Sequence, residues 1–174
     1  MNEKARAIVE ALRLTRHPEG GFYRRTWESG VTLPAEALPA RFAEPRLLGT
    51  AILFLLEGSD FSALHRLKSD ELWHYHDGAG AELTVIHPEG RLETVRLGRR
   101  VEAGETPQHA IPAGTWFGGR VLVPGSYVLL GCTVHPGFDF ADFELARRDL
   151  LTAEFPEHRV PIERLTRFPL EVTP

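Results

Sequence analysis

The chain has 174 residues, of which 43% are hydrophobic and 25% charged, and its net charge is −4 with histidine neutral, an ordinary balance for a globular protein. No Lys/Arg block supplies the basic footprint of a nucleic-acid partner, and the apolar run over 51–56 falls far short of the roughly 20 residues that cross a bilayer. Cys132 is the only cysteine, which excludes an intrachain disulfide and disfavours a thiolate metal cluster; its VLLGCTV surroundings mark it as a small buried hydrophobe.

In chain order, residues 3–14 predict a helix, because Ala7, Ile8, Ala11, Leu12 and Leu14 recur at three- and four-residue intervals. The opening MNEKARAIVEAL has acids and no small-residue cleavage site, so it does not read as a signal peptide and a cytoplasmic location is expected. His17-Pro18-Glu19-Gly20-Gly21 breaks the helix. Glu19-Gly20-Gly21 lacks the lysine and following helix of a phosphate loop. Its glycines instead turn the backbone into the first strand and carry Tyr23 and Arg24 towards a pocket mouth, where an arginine can hold a carboxylate or phosphate.

From 22 to about 146, short β-rich runs such as TAILFLLE, ELWHYH, ELTVIH and SYVLLGCTV alternate with Gly, Pro and Asp punctuation, the pattern of a sandwich or barrel. Residues 34–45 hold three prolines and read as a surface excursion that interrupts a hairpin. Residues 86–91 read as a hairpin turn. DLLTAEFP and IERLT read as short C-terminal helices. The expectation is an all-β barrel with a helical start and tail, one domain over 1–174.

The run HRLKSDELWHYHDG, residues 65–78, concentrates the chemistry: His65, His74, His76 and Glu71 lie within it. It divides into candidate strands over 62–66 and 71–76 around a turn at 68–70, and neighbouring strands about 4.8 Å apart can bring His65 and Glu71 together on one face. Alternation sends Glu71, Trp73 and Tyr75 inward and His74 and His76 outward unless a bulge intervenes. The remaining histidines, His17, His87, His109, His135 and His158, read as loop or surface residues.

At these residues the sequence resembles the cupins. His65, Glu71 and Gly78 occupy the first-histidine, glutamate and glycine places of the first cupin motif, while Leu67 takes the second-histidine place. Pro112-Ala113-Gly114 opens the second motif, but Phe117 and Val121 stand at its histidine and asparagine places, so two of the four usual metal ligands are missing. HPEGGFYRRTW, FSALHRLKSDELWHYHDG, PAGTWFGG and GCTVHPGFDFADFELA look like motifs of the cupin-5, or RmlC-like, branch; His76 and His135 depart from it. The resemblance implies a double-stranded β-helix (jelly-roll) barrel, a homodimer and a small-molecule ligand in the barrel.

Three functional classes follow. The favoured one resembles the sugar-nucleotide epimerase and isomerase cupins and needs no metal: His65 is the base, Asp70 or Glu71 its orienter, and Tyr75 or Tyr23 the acid. The expected pocket is floored by His65, Glu71, Trp73 and Trp116, with Tyr23, Arg24, Arg66, His74 and Phe117 completing the ligand-binding set. The second class is a rearranged divalent-metal site on His65 and Glu71, with His74 or His76 added by a bulge. The third is a non-catalytic binder of a small molecule.

Overall fold

A computed structural model describes residues 1–167. Helix α1 (Glu3–Ala11) begins where the Asn2 side chain accepts from the backbone N–H groups of Lys4 and Ala5. It stops short of the expected residue 14 because Leu12 caps it and Arg13 turns left-handed, at φ +53°. Arg13 is the only non-glycine residue with positive φ among those described. This is the post-helix position that glycine usually fills, and a side chain there costs about 1–2 kcal/mol.

Thirteen short strands follow: β1 (Thr15–Arg16), β2 (Phe22–Glu28), β3 (Thr32–Leu33), β4 (Arg46–Leu47), β5 (Thr50–Glu57), β6 (Phe61–Leu67), β7 (Asp70–Gly78), β8 (Ala81–Ile86), β9 (Leu92–Leu97), β10 (Gln108–Ile111), β11 (Trp116–Val121), β12 (Tyr127–His135) and β13 (Phe143–Leu145). They form a six-stranded sheet ordered β1-β2-β5-β12-β7-β10 and a five-stranded sheet ordered β13-β6-β11-β8-β9, with β3 and β4 as a separate pair. Every strand pairing is antiparallel, and consecutive strands repeatedly switch sheets, which is a jelly roll. The proline-rich 34–45 segment sits between the paired β3 and β4, and residues 87–91 turn the β8–β9 hairpin.

Alternation along the strands fills the space between the sheets with Phe54, Trp73, Leu83, Phe117, Val128 and Leu130. Two further clusters cover the outer faces. Leu14, Phe22, Leu55 and Tyr127 pack under α1. Leu64, Ile86 and Trp116 pack under α2 (Arg148–Glu154) and α3 (Arg159–Arg164) through Leu151, Phe155 and Ile162. The five-stranded sheet is thus apolar on both faces near β6, so its sequence shows no simple alternation there.

Candidate functional site

The site is assembled by a turn and two facing strands. In the turn before β2, the N–H of His17 donates to the Gly21 carbonyl, and Gly20 and Gly21 take φ of +117° and +70°. A Cβ on Gly20 would lie 2.1 Å from the Phe61 carbonyl oxygen, so only glycine lets the turn press against β6. Two more bonds lock it there: Ala63 N–H donates to the Glu19 carbonyl (2.9 Å), and Gly21 N–H donates to the Asp60 carboxylate (2.9 Å). The turn drives the Glu19 side chain into the barrel, where it is buried.

β6 meets Glu19 with two side chains that plain alternation would separate. Opposite β11 its register slips, pairing His65 with Phe117 but Ser62 with Gly119, so β6 carries one extra residue. This bulge lets Ser62 Oγ donate to Glu19 Oε1 (2.8 Å) while His65 Nε2 lies 3.4 Å from Glu19 Oε2. His17 Nδ1 approaches the same Oε2 at 3.3 Å from the other side. His65 Nδ1 donates to the Ala63 carbonyl (2.8 Å), and His17 Nδ1 accepts the Glu19 N–H at 3.4 Å. Those partners leave both nitrogens that face Oε2 as acceptors, so neither pairs with Glu19 unless Oε2 carries a proton, and that proton serves one of them at a time.

The energetics agree with that count. Burial pushes the Glu19 carboxyl up to about 7, against the pull of His17 and Ser62. Burial also drives His65 down to about 4 and lowers His17. Across the barrel on β7, burial pushes Glu71 up to about 8, and the negative charge of Glu19 adds to the shift. Among the described residues Glu71 Oε2 is buried with no well-formed hydrogen bond, although the Trp73 indole and the Cys132 thiol stand near enough to pull the carboxyl part of the way back down; burial raises that thiol far above its ordinary value. At neutral pH the floor therefore holds two neutral imidazoles, one protonated carboxyl and one carboxyl near its midpoint.

These groups line a cavity of about 540 Å³, within the range of small-molecule sites. Ile52, Phe54, Val134 and Phe138 give it apolar walls, Tyr23 stands edge-on to His17 with ring centroids 4.6 Å apart, and Arg13, Arg24, Arg25 and Phe140 stand at its mouth.

Against the sequence expectations, the structure redistributes several residues. His65 and Glu71 do line one cavity, but from strands of opposite sheets that face each other, not from paired neighbours. Tyr23 and Arg24 line it as well. Trp73 is fully buried in the core against Phe54 and Phe117, and Phe117 backs the His65 ring at 4.1 Å, so both support the floor without lining the cavity. Trp116 is not a floor residue: it points out of the barrel beneath the C-terminal helices, with the Arg66 guanidinium 4.5 Å over its ring. Arg66 is likewise outside, paired with Glu144 (2.7 Å).

Tyr75 donates to the Gly78 carbonyl (2.7 Å) and borders a different, smaller cavity of about 220 Å³. Asp70 accepts from Ala113 N–H (2.8 Å) and is exposed, so neither belongs to the cavity. His74 faces outward, 3.0 Å from Thr133 Oγ1. A bulge does occur in β7, at His76, which is skipped between Tyr75 and Asp77 in the pairing with β12; it lies beyond His74 and turns neither histidine inward.

His17 and Glu19 were the residues missed. Read as a loop histidine, His17 keeps only 6% of its side chain exposed. Among the described residues no group of three His, Cys, Asp or Glu side chains could hold a metal ion. Leu67 and Phe117 stand at two places where cupins carry ligands, and His65 Nε2 is turned to Glu19. The donor set does not fit a cupin metal centre.

Two facing antiparallel sheets wound as a jelly roll around an interior cavity define a cupin barrel. The model of the cupin superfamily family DUF985 (Cupin_5) matches residues 6–146, and the chain belongs to that family. It is similar to protein SO0799 from Shewanella oneidensis (38% identity, TM-score 0.84, covering 96% of this chain and 98% of that one). It is also similar to a hypothetical protein from Leishmania major (32% identity, TM-score 0.85, 97% and 100% covered). The uncharacterized protein YML079W of Saccharomyces cerevisiae is 25% identical over 146 residues, 78% of this chain and 71% of that protein. Bacillus subtilis oxalate decarboxylase shares the fold at 16% identity and TM-score 0.52, with 36% of its chain covered.

Proposed function

We propose that the cavity binds a small polar molecule and moves a proton on it without a metal, in the manner of an epimerase or isomerase. The observation that carries this reading is Glu19 Oε2 held between His17 Nδ1 and His65 Nε2, at 3.3 and 3.4 Å, on the floor of a ligand-sized cavity.

Each member has a role. His65 has both ring nitrogens engaged, by Ala63 and Glu19, so it positions Glu19 and does not reach the substrate. The base assigned to His65 from sequence therefore passes to His17. When Glu19 is protonated, its single acid proton is shared between His17 Nδ1 and His65 Nε2, and His17 Nε2 carries the only proton on that ring. Delivery of the Nε2 proton to substrate, with the Glu19 proton moving to Nδ1, leaves a carboxylate beside a base-form imidazole. The reverse step restores the start. A carboxyl near 7 makes both forms accessible at neutral pH. Glu71, which lines the same cavity and whose carboxyl burial raises to about 8, is the second proton carrier that inversion at a carbon requires. Tyr23 takes the acid position that sequence shared with Tyr75.

The test is solvent hydrogen exchange. Sugar nucleotides and simple sugars incubated with the protein in D2O are expected to gain deuterium at carbon, and His17→Ala is expected to slow this by about 10²- to 10⁴-fold. A molecule that stabilises the protein saturably but never exchanges would establish the second reading, a non-catalytic binder, which the occupied nitrogens of His65 favour. The homodimer and cytoplasmic location belong to the same reading, and light scattering checks the dimer.

A further inference from the structure

The mouth of the cavity differs in charge from its floor. The floor carries Glu19 and Glu71, so an anion pushed to the bottom would face two groups that become negative. The mouth carries three exposed arginines, and they are not equivalent. Arg25 is committed: its guanidinium lies 3.4 Å from Glu28 and donates to the Phe138 carbonyl at 3.1 Å, which fixes the cavity wall. The guanidinium groups of Arg13 and Arg24 have no hydrogen-bond or ion-pair partner among the described residues. The acid beside them, Asp139, is capped by the Ala141 N–H at 2.8 Å.

The backbone supplies a second, independent observation. Arg13 occupies a left-handed conformation (φ +53°) just past the end of α1, a position where glycine would be free of strain. Nothing in the turn uses its side chain: Leu14 N–H reaches the Val9 carbonyl (2.9 Å) and Arg13 N–H the Glu10 carbonyl (3.1 Å), bonds that any residue would make. A strained residue whose guanidinium makes no hydrogen bond or ion pair among the described residues, placed at the mouth of a cavity, is placed for what it binds. Between mouth and floor stand Tyr23 and Phe138, with Phe140 at the rim, surfaces for a ring or apolar body.

The geometry points to Arg13 and Arg24 as an oxyanion clamp: the cavity takes a small organic phosphate or carboxylate whose charged group stays at the mouth while its uncharged body enters the barrel. This rests on the cavity being the functional site, and names the class of molecule that site accepts. Guanidinium groups bind both oxyanions with paired hydrogen bonds, so the chemistry is shared between the two sources.

Matched probes at constant ionic strength test it by thermal shift and calorimetry: glucose, glucose 1-phosphate and glucuronate, and phenol, phenyl phosphate and benzoate. The expected result is saturable stabilisation by a charged member of at least one series, absent with its neutral counterpart; which anion succeeds separates phosphate from carboxylate. Arg24→Ala and Arg13→Gly should each weaken that binding by about ten- to a hundredfold. Without ligand, Arg13→Gly should melt about 2–4 °C higher than the unmodified protein, because the strain is released. A residue with a merely structural role would lower it. Equal stabilisation by neutral and charged probes, anion binding that survives both substitutions, or no response to any probe would each overturn the clamp. Carbon-bound deuterium exchange that persists in Arg13→Gly with a neutral sugar would leave the acid–base reading standing while removing this one.

Discussion

Glu19 Oε2 and His65 Nε2 lie 3.4 Å apart although Glu19 belongs to a turn before the first long strand and His65 to the middle of β6. The contact makes the floor one proton-sharing unit, and it gives Glu19→Gln a distinctive signature. The glutamine N–H can replace the acid O–H towards the two imidazoles while its oxygen still accepts from Ser62. Stability at neutral pH is expected to change by less than about 1 kcal/mol, while deuterium exchange into a substrate falls about 10²- to 10⁴-fold. Glu19→Ala, which strands Ser62 Oγ and His65 Nε2 while the backbone N–H of residue 19 still reaches His17 Nδ1, should cost about 1–3 kcal/mol for each buried group left unpaired. Thermal melts and exchange rates on both variants check this.

The raised carboxyls predict how stability varies with pH. Glu19 and Glu71 sit at about 7 and about 8 in the folded chain against an ordinary 4.5, so the folded state holds more protons than the unfolded state across that window. Stability is then lost as pH rises from 4.5 towards those values, with a slope approaching about 1.4 kcal/mol per pH unit for each group, and the loss is complete once pH has passed 7 and 8. His65 runs the other way: at about 4 against 6.5, it makes the folded state proton-poor, so stability rises with pH between those values. His65 and the likewise lowered His17 offset the fall only below 6.5, so stability drops most steeply between about pH 6.5 and 7, continues to fall to about 8 and levels off beyond. Urea denaturation from pH 5 to 9 measures it, and Glu71→Gln should make the decline shallower and end it near pH 7.

The fold was legible because its signals are local: strand-length apolar runs, turn residues at regular spacing, and motif residues in cupin order. His65 and Glu71 were legible for the same reason. The partners were not. Alternation assigns one face to each residue of a strand, and the extra residue in β6 that brings Ser62 and His65 to the same carboxylate has no composition of its own. Glu19 carries no sign of burial in sequence; the one available clue was the Gly20-Gly21 pair, since paired left-handed glycines mark a close backbone approach that forces the preceding side chain inward. Trp116 misled because β6 and its neighbours are buried on both faces, so an aromatic there can serve the outer cluster as readily as the cavity.

That placement separates Trp116 and Tyr75 from the chemistry. Trp116→Ala should destabilise the protein by about 3–5 kcal/mol by opening the cluster beneath α2 and α3. Tyr75→Phe loses one half-buried bond to Gly78, about 1 kcal/mol. Tyr75→Phe should leave ligand affinity and exchange rate within twofold of the unmodified protein (roughly 0.4 kcal/mol), and Tyr23→Phe should not. Parallel melts and ligand titrations on the three variants decide it.

The wall of the cavity depends on a pair far from its floor. Arg46 on β4 donates through Nε and Nη2 to the two oxygens of Asp142 (2.6 and 2.8 Å), both side chains being at most 7% exposed, and Lys68 approaches Asp142 at 3.3 Å. Asp142 ends the segment that carries Phe138, Asp139 and Phe140 along the cavity, while Thr50 Oγ1 accepts Phe138 N–H (2.9 Å) at the other end. Arg46→Ala leaves a buried carboxylate with only a half-exposed lysine to answer it, an imbalance that costs about 3–5 kcal/mol. The double variant Arg46→Met/Asp142→Leu removes both charges and should recover most of that loss, because it is the unpaired charge and not the missing bond that destabilises. Ligand affinity should follow stability in the single variant, since a freed 138–142 segment no longer holds Phe138 and the Arg25 guanidinium in register. Urea denaturation of the three proteins, with ligand titrations alongside, measures both effects. A single variant as stable as the unmodified protein would mean that water already screens Asp142.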